Sequence, residues 1–160
     1  MKKFAHVLLI VFTISMSFKA KAQTEFGIIG GINITFFNIS EGGFGPNAET
    51  EIGYYEGGFI DFKIDSGFHF QPELLYIGIQ EYNFLNAPLY LKYDIDYNFH
   101  ILIGPSLNYF FDFFNNKFKV RADLSLAYDF TATLNVHMKY KIGFEELAPN
   151  VLFLGLGYKL

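Results

Sequence analysis

The sequence contains no cysteine, which excludes a disulfide framework, a thiolate metal site and a cysteine nucleophile. It also lacks tryptophan, and beyond residue 23 it shows neither a useful helical period nor an apolar run of about 18 residues. No transmembrane helix is therefore predicted there. Basic residues are few, 12 against 16 acidic ones, which argues against a nucleic-acid partner because nucleic acids bind basic surfaces.

Aromatic residues are abundant instead. They make up 20% of the 160 residues, with 21 Phe and 11 Tyr, and hydrophobic residues make up 51%. A chain of this length forms one domain, and a soluble domain of that size has enough core from fewer rings. The aromatic content is therefore high for a small soluble domain.

Residues 1–22 have the pattern of a secretory signal peptide. Lys2 and Lys3 precede an apolar segment, 4–18, and the residues at 20–22, Ala-Lys-Ala, match a cleavage site. The apolar segment is short for a span of ~20 residues, and no cysteine follows the site, which excludes a lipoprotein. We predict export, cleavage near Ala22 and a barrel domain at 23–160, which would carry 8 basic and 16 acidic residues.

Apolar and polar residues alternate along most of that domain. In the segment 131–144, TATLNVHMKYKIGF, every even position is apolar and no odd position is a large hydrophobe. A period of two is typical of a strand with one apolar and one polar face. Eight such segments are joined by tight connections and by longer polar ones at 38–51, 112–117 and 145–150. This alternation of short turns and long loops is typical of outer-membrane barrels.

Two kinds of eight-stranded barrel fit an exported chain, a soluble one with an apolar interior and a transmembrane one with an apolar exterior. So many large rings would overpack the narrow interior, and the rings gather at the strand ends, as in the girdles at membrane interfaces. We therefore predict an all-β, eight-stranded antiparallel up-and-down transmembrane β-barrel. The predicted girdles are Tyr93, Tyr97, Phe99, Tyr128, Phe130 and Tyr158 at the tight turns, and Tyr82, Phe84, Tyr109, Phe111, Phe118 and Phe144 at the loops.

The charged residues of the polar faces are predicted to lie inside the barrel, because a lysine facing lipid at the midplane costs roughly 2–4 kcal/mol. Paired charges would then close the interior, and eight strands leave no open channel. The predicted polar cluster of the interior comprises Asp61, Lys63, Glu73, Lys92, Asp94, Lys119, Arg121, Asp123, His137, Lys139 and Lys141.

Two alternative functions, a metal site and a hydrolase, would use side chains of the same inward-facing polar face. His69, His100 and His137 all point inward by parity and could bind a metal, but a polar interior also needs neutral hydrogen-bonding groups. Ser106 and His100 could form a hydrolase pair, but they lie six residues apart, ~20 Å along a strand. We therefore predict no catalytic residue, no metal and no cofactor.

Parity also predicts the turns. Directly opposed residues share a face, so a loop between strands of like parity contains an odd number of residues. We predict three-residue loops at 131–133, 65–67 and 94–96. The first of these places Asp123 opposite Lys141, and Ser125 opposite Lys139, inside the barrel.

Four stretches carry a resemblance to a known family: GIIGGINITF, GFHFQPELLY, FLNAPLYLKY and the terminal FLGLGYKL. In this order they resemble the outer membrane β-barrel domain family labelled PorT-like. The last stretch resembles the signal that the barrel assembly machinery reads, with Gly155 and Tyr158 in place, although it ends in Leu160 where phenylalanine is typical. The resemblance implies a small barrel in the outer membrane of a Gram-negative bacterium.

Two functional hypotheses follow. The first is a barrel of structural or binding character that contacts outer-membrane lipid and binds an unknown protein partner through its extracellular loops. The second, which the resemblance suggests for some members, is an accessory component of an outer-membrane secretion or transport machine. A pore is a weaker third hypothesis because eight strands enclose no open channel.

Overall fold

The computed structural model describes residues 24–39, 47–80, 82–111, 117–142 and 150–160. The predicted signal peptide lies outside them, as do residues 40–46, 112–116 and 145–149 of the three predicted long loops. None of the described residues belongs to a helix long and apolar enough to cross a membrane.

Eight strands account for nearly all of the described residues. They are β1 (Thr24–Ile39), β2 (Asn47–Asp65), β3 (Phe68–Ile79), β4 (Tyr82–Asp94), β5 (Phe99–Phe110), β6 (Phe118–Asp129), β7 (Leu134–Ile142) and β8 (Asn150–Lys159).

Each strand pairs antiparallel with the next, and β8 pairs with β1, so the sheet closes into an up-and-down barrel. The predicted fold class is confirmed. The register shows that the strands are strongly tilted. A path that starts at Thr24 on β1 and steps from each residue to its partner on the next strand comes back to β1 at Ile34, not at Thr24. Between these two positions the path passes through Phe62, Phe70, Leu91, Ile103, Leu124, Tyr140 and Leu152, an apolar ring around the outside.

The β6–β7 hairpin has the predicted register. Asp123 pairs with Lys141, and the amide of Phe130 donates a hydrogen bond to the carbonyl of Leu134 over 2.9 Å. The amide of Leu134 in turn donates to Thr131 Oγ1 over 2.9 Å, which closes the three-residue loop.

The β2–β3 hairpin keeps the predicted register along its strands, with Lys63 opposite His69. An irregularity between Lys63 and Asp65 then brings Asp65 opposite Phe68, so the turn itself has two residues rather than three. The second of them is Gly67, whose φ of 87° lies in the left-handed region that glycine adopts without steric cost.

The β4–β5 loop prediction is wrong. The turn lies at 96–98 rather than 94–96, because Asp94 remains in the ladder opposite His100. Its carboxylate contacts His69 and His100 inside the barrel, at 3.0 and 2.7 Å. The displacement is two residues, so the parity of both strands is unchanged. Tyr97 therefore lies at the tip of the turn, 97% exposed, and not in a girdle.

The first two strands are longer than predicted, with 16 residues in β1 and 19 in β2. They extend to Ile39 and start at Asn47, so the predicted loop at 38–51 is wrong at both ends. The alternation of apolar and polar residues could not reveal these extensions, because the part of a strand that projects beyond the membrane into water needs no apolar face.

The outside of the barrel is apolar along its whole described circumference. Exposed side chains include Ile28, Ile52, Leu74, Ile103, Val120 and Leu156, while the opposite faces of the same strands are largely buried. A barrel with this inverted distribution has the architecture of a transmembrane β-barrel.

Ring pairs occur at both ends of the outer surface. Tyr93 packs on Phe68 with centroids 4.8 Å apart, and Tyr109 packs on Phe118 at 4.9 Å. The other predicted girdle residues that lie on the outer surface or at its edge are Phe99, Phe111, Tyr128, Phe130 and Tyr158. The side chain of Tyr82 and all of Phe144 lie outside the described residues. Phe84 is a wrong girdle prediction, since it points inward and stacks on Phe110 at 4.6 Å.

Candidate functional site in the barrel interior

The interior has an apolar part that the predicted polar cluster omits. Nine buried side chains form it, chiefly from β2, β3 and β8: Ile29, Tyr55, Phe59, Leu75, Ile77, Ile79, Phe84, Val151 and Phe153. The segment at 74–79, LLYIGI, is apolar on both faces, so alternation gave no signal that one of these faces fills the interior.

Glycines make room for these rings. A Cβ on Gly27 would lie 2.2 Å from the ring of Phe59, and one on Gly155 would lie 2.2 Å from the hydroxyl of Tyr55. Each ring therefore lies over a glycine of a neighbouring or nearby strand, which lets a narrow barrel hold large side chains.

At the middle of the barrel, polar contacts join opposite walls. Lys139 of β7 forms an ion pair with Glu73 of β3, whose carboxylate also accepts a hydrogen bond from Gln71 over 2.9 Å. Tyr55 of β2 hydrogen bonds to His137 of β7. These contacts span the lumen and leave an adjoining interior cavity of about 20 Å³, which is room for about one water molecule.

Lys141 lies in a second buried group. Its ammonium is 3.6 Å from the carboxylate of Asp123 and donates a hydrogen bond to Asn108 over 3.1 Å. Asp123 also accepts a hydrogen bond from Ser106 over 2.7 Å. Lys141 is 1% exposed and Asp123 3%, so these contacts replace the water that both charges have lost.

At the tight-turn end, acidic, basic and histidine side chains form a continuous chain that we call the mouth network. Neighbouring members are 2.6 to 3.5 Å apart. Each histidine in it lies between two carboxylates, and each lysine contacts at least one. In order, the network runs Lys92, Asp61, His69, Asp94, His100, Asp129, Lys159 and Glu25.

The structure distributes the predicted interior residues over these groups. Asp61, Lys92 and Asp94 lie in the mouth network; Glu73, Lys139 and His137 lie in the middle; Asp123 and Lys141 lie beyond them. Arg121 is buried and Lys119 half-buried.

Lys63 is a wrong prediction, because it is exposed at the tight-turn end, where β2 becomes irregular. The predicted cluster also missed Glu25, Asp129 and Lys159, which have inward parity but lie at strand ends.

The structure does not bring together the residues of the hypothetical metal site or of the hypothetical hydrolase pair. His69 and His100 share Asp94, whereas His137 pairs with Tyr55 farther inside. Ser106 donates to Asp123 rather than to His100. Within the described part of the chain, no group of three or more His, Asp and Glu side chains could hold a metal ion.

Charged residues are rare on the outward face of the described strands. Glu56 of β2 is exposed on this face, with Gly30 of β1 and Tyr76 of β3 as its paired neighbours. It breaks the apolar stripe that Ile52, Tyr54 and Ile60 otherwise form along β2.

No protein-family model matches the sequence, and no curated protein matches it either. Solved structures do share the fold. The attachment invasion locus protein Ail of Yersinia pestis, solved with the heparin analogue sucrose octasulfate, is 12% identical, with a TM-score of 0.57 over 86% of this chain and 99% of its own. Neisserial surface protein A is 12% identical, with a TM-score of 0.55 over 85% and 96%.

A de novo designed transmembrane β-barrel shows the same likeness, with 13% identity and a TM-score of 0.54 over 83% of this chain and 95% of the designed one. The chain is thus similar both to natural barrels and to a designed barrel, and this similarity concerns the fold.

Proposed function

We propose that this chain is a small outer-membrane barrel of structural or binding character, exported by a signal peptide at 1–22 and inserted by the barrel assembly machinery. The observation that carries the proposal is the inverted barrel, with an apolar outer surface between two sets of rings and an ion-paired interior. Natural barrels of this fold, Ail and Neisserial surface protein A, support the placement in an outer membrane.

The interaction surface in this proposal is the loop end of the barrel. The outer parts of β1 and β2 extend past the neighbouring strands and would carry the loop between them away from the membrane. An unknown protein partner would contact this end and the predicted loops at 112–117 and 145–150. The small size of the interior cavity supports a binding or structural role over a pore.

Fractionation and surface labelling test this proposal. The protein should be recovered in the outer membrane, and unheated samples should migrate differently from boiled ones on a denaturing gel. Because the chain has no cysteine, Thr50→Cys should react with a membrane-impermeant thiol reagent in intact cells. The matched variant Ser66→Cys, in a tight turn, should react only after the outer membrane is permeabilised. Recovery in the soluble periplasm without heat-dependent mobility would refute the proposal.

A second candidate is an accessory component of an outer-membrane secretion or transport machine, and the outward-facing Glu56 favours it because a lipid-facing carboxylate suits a membrane partner. Recovery of a multiprotein complex after mild crosslinking would support this candidate. Deletion of residues 40–46 without effect on other envelope proteins would support the first.

A further inference from the structure

Glu56 lies well inside the apolar outer surface. The exposed apolar stripe of β2 runs from Ile52 to Ile64, which are 68% and 62% exposed. At ~3.3 Å per residue and a strand tilt of about 40°, Glu56 is roughly 10 Å from one end of this stripe and roughly 20 Å from the other. A glutamate side chain is too short to bring its carboxylate to water over either distance.

Glu56 lies in a wide, open groove on this surface. The groove has a volume of about 850 Å³, and its lining residues lie on β7, β8, β1, β2, β3 and β4. Gly30 forms its floor beside Glu56, and its sides include Ile28, Leu74, Leu156 and Tyr158. Small residues on a membrane-facing surface allow the backbone of a neighbour to approach closely.

Glu56 makes no hydrogen bond or ion pair with any side chain that the structure describes, in contrast to the buried carboxylates of the interior. Ionisable residues facing lipid are costly, and those that persist mark functional contacts in which a partner supplies the missing charge or donor. A lipid chain fills a groove but supplies neither.

A second copy of this chain is a poorer occupant. A two-fold axis along the membrane normal would place both Glu56 carboxylates at the same depth on facing surfaces, so like charges would meet in an apolar setting. A cation at this depth complements the carboxylate instead.

We infer that the groove over Glu56 docks the lipid-facing surface of another outer-membrane protein that presents a lysine or arginine at the same depth. The inference rests on the proposed membrane location and deepens the second candidate function, because it assigns the contact to the barrel wall rather than to the loops. Glu56 supplies the charge for recognition, and the glycine floor allows close packing.

Photocrosslinking in the native outer membrane tests this inference. A photoreactive amino acid at Leu74, on the side of the groove, should yield a discrete adduct with another outer-membrane protein. The matched control is Val120 on β6, which is similarly exposed, at 66% against 58% for Leu74, and should yield none. Glu56→Leu should lower the Leu74 adduct at least tenfold, and Glu56→Asp should retain most of it.

An adduct with another protein does not by itself support the inference. Restoration of the adduct when the charges of Glu56 and its facing basic residue are exchanged does. Replacing the captured protein's facing basic residue by glutamate should abolish the adduct, and combining that change with Glu56→Lys should restore it. Adducts with lipid only, adducts with a second copy only, or a protein adduct unchanged by Glu56→Leu would overturn the inference. Heat-dependent mobility of every variant separates these outcomes from failure of the barrel to insert, which would refute the proposed function itself.

Discussion

Individual buried charges in this barrel are held by specific partners. Lys92 contacts Asp61 at 2.7 Å, Lys139 contacts Glu73, and Lys141 contacts Asp123. Two ammonium groups also lie over aromatic rings, Lys139 over Tyr90 and Lys141 over Phe153, each 5.3 Å from the centroid. Removal of Glu73 or Asp123 therefore leaves a buried ammonium group with neither water nor a counter-ion.

Asp123 provides the sharpest test of this arrangement. Asp123→Leu should lower the free energy of unfolding by about 3–5 kcal/mol, because it leaves Lys141 buried without its carboxylate. Urea titration of the protein folded in lipid vesicles, followed by gel mobility, measures the change.

The control is the double variant Asp123→Leu/Lys141→Met, which removes both charges and should recover most of the lost stability. Equal stabilities of the single and double variants would show that the pair does not matter.

At the scale of strands and hairpins, parity predicted the faces of the barrel but could not place every turn. The alternation at 131–144 predicted the β6–β7 register, and Asp123 does pair with Lys141. The β4–β5 turn was misplaced because its position depends on contacts between strands, those of Asp94 with His69 and His100. No pattern within one strand contains that information.

The interior was predicted only in part for a related reason. In the sequence, charged residues identify the polar face directly. Inward-facing aromatic residues such as Phe59 and Phe153 cannot be distinguished there from the lipid-facing ones. Their space is created by glycines on other strands, such as Gly27 opposite Phe59. Such complementarity depends on the register and cannot be recognised before the strands are paired.

The closure between β8 and β1 depends on one of these glycines. A Cβ on Gly155 would lie 2.2 Å from the Tyr55 hydroxyl and 2.3 Å from the carbonyl oxygen of Gly30. Because one obstacle is backbone, the strands would have to separate, and Gly155→Ala should destabilise the barrel by about 1–3 kcal/mol.

Gly58→Ala is the matched control for this substitution. Its Cβ would meet only the carbonyl oxygen of Gly27, at 3.3 Å, which requires a much smaller shift, so this variant should lose less stability than Gly155→Ala. The thermal midpoint of the conversion from folded to unfolded gel mobility compares the two, and equal midpoints would contradict the role assigned to Gly155.

For the whole molecule, the contacts across the lumen decide whether the barrel can conduct ions. Glu73 and Lys139 join β3 to β7, and Tyr55 and His137 join β2 to β7, so side chains bridge opposite walls at mid-height. A cavity of about 20 Å³ in this region holds about one water molecule, and a conducting pore needs a continuous column of them. We therefore expect the lumen to be a barrier to ions.

The last prediction is that the protein shows no stable conductance in planar-bilayer recordings. The double variant Glu73→Ala/Lys139→Ala removes the main bridge without leaving a charge unpaired, and it should give brief openings because water can enter the vacated space. Ser106→Ala, which deletes one hydroxyl from the wall, is the control and should remain closed. A large, reproducible open state of the unmodified protein would show that the interior rearranges in the membrane and would return the pore hypothesis to first place.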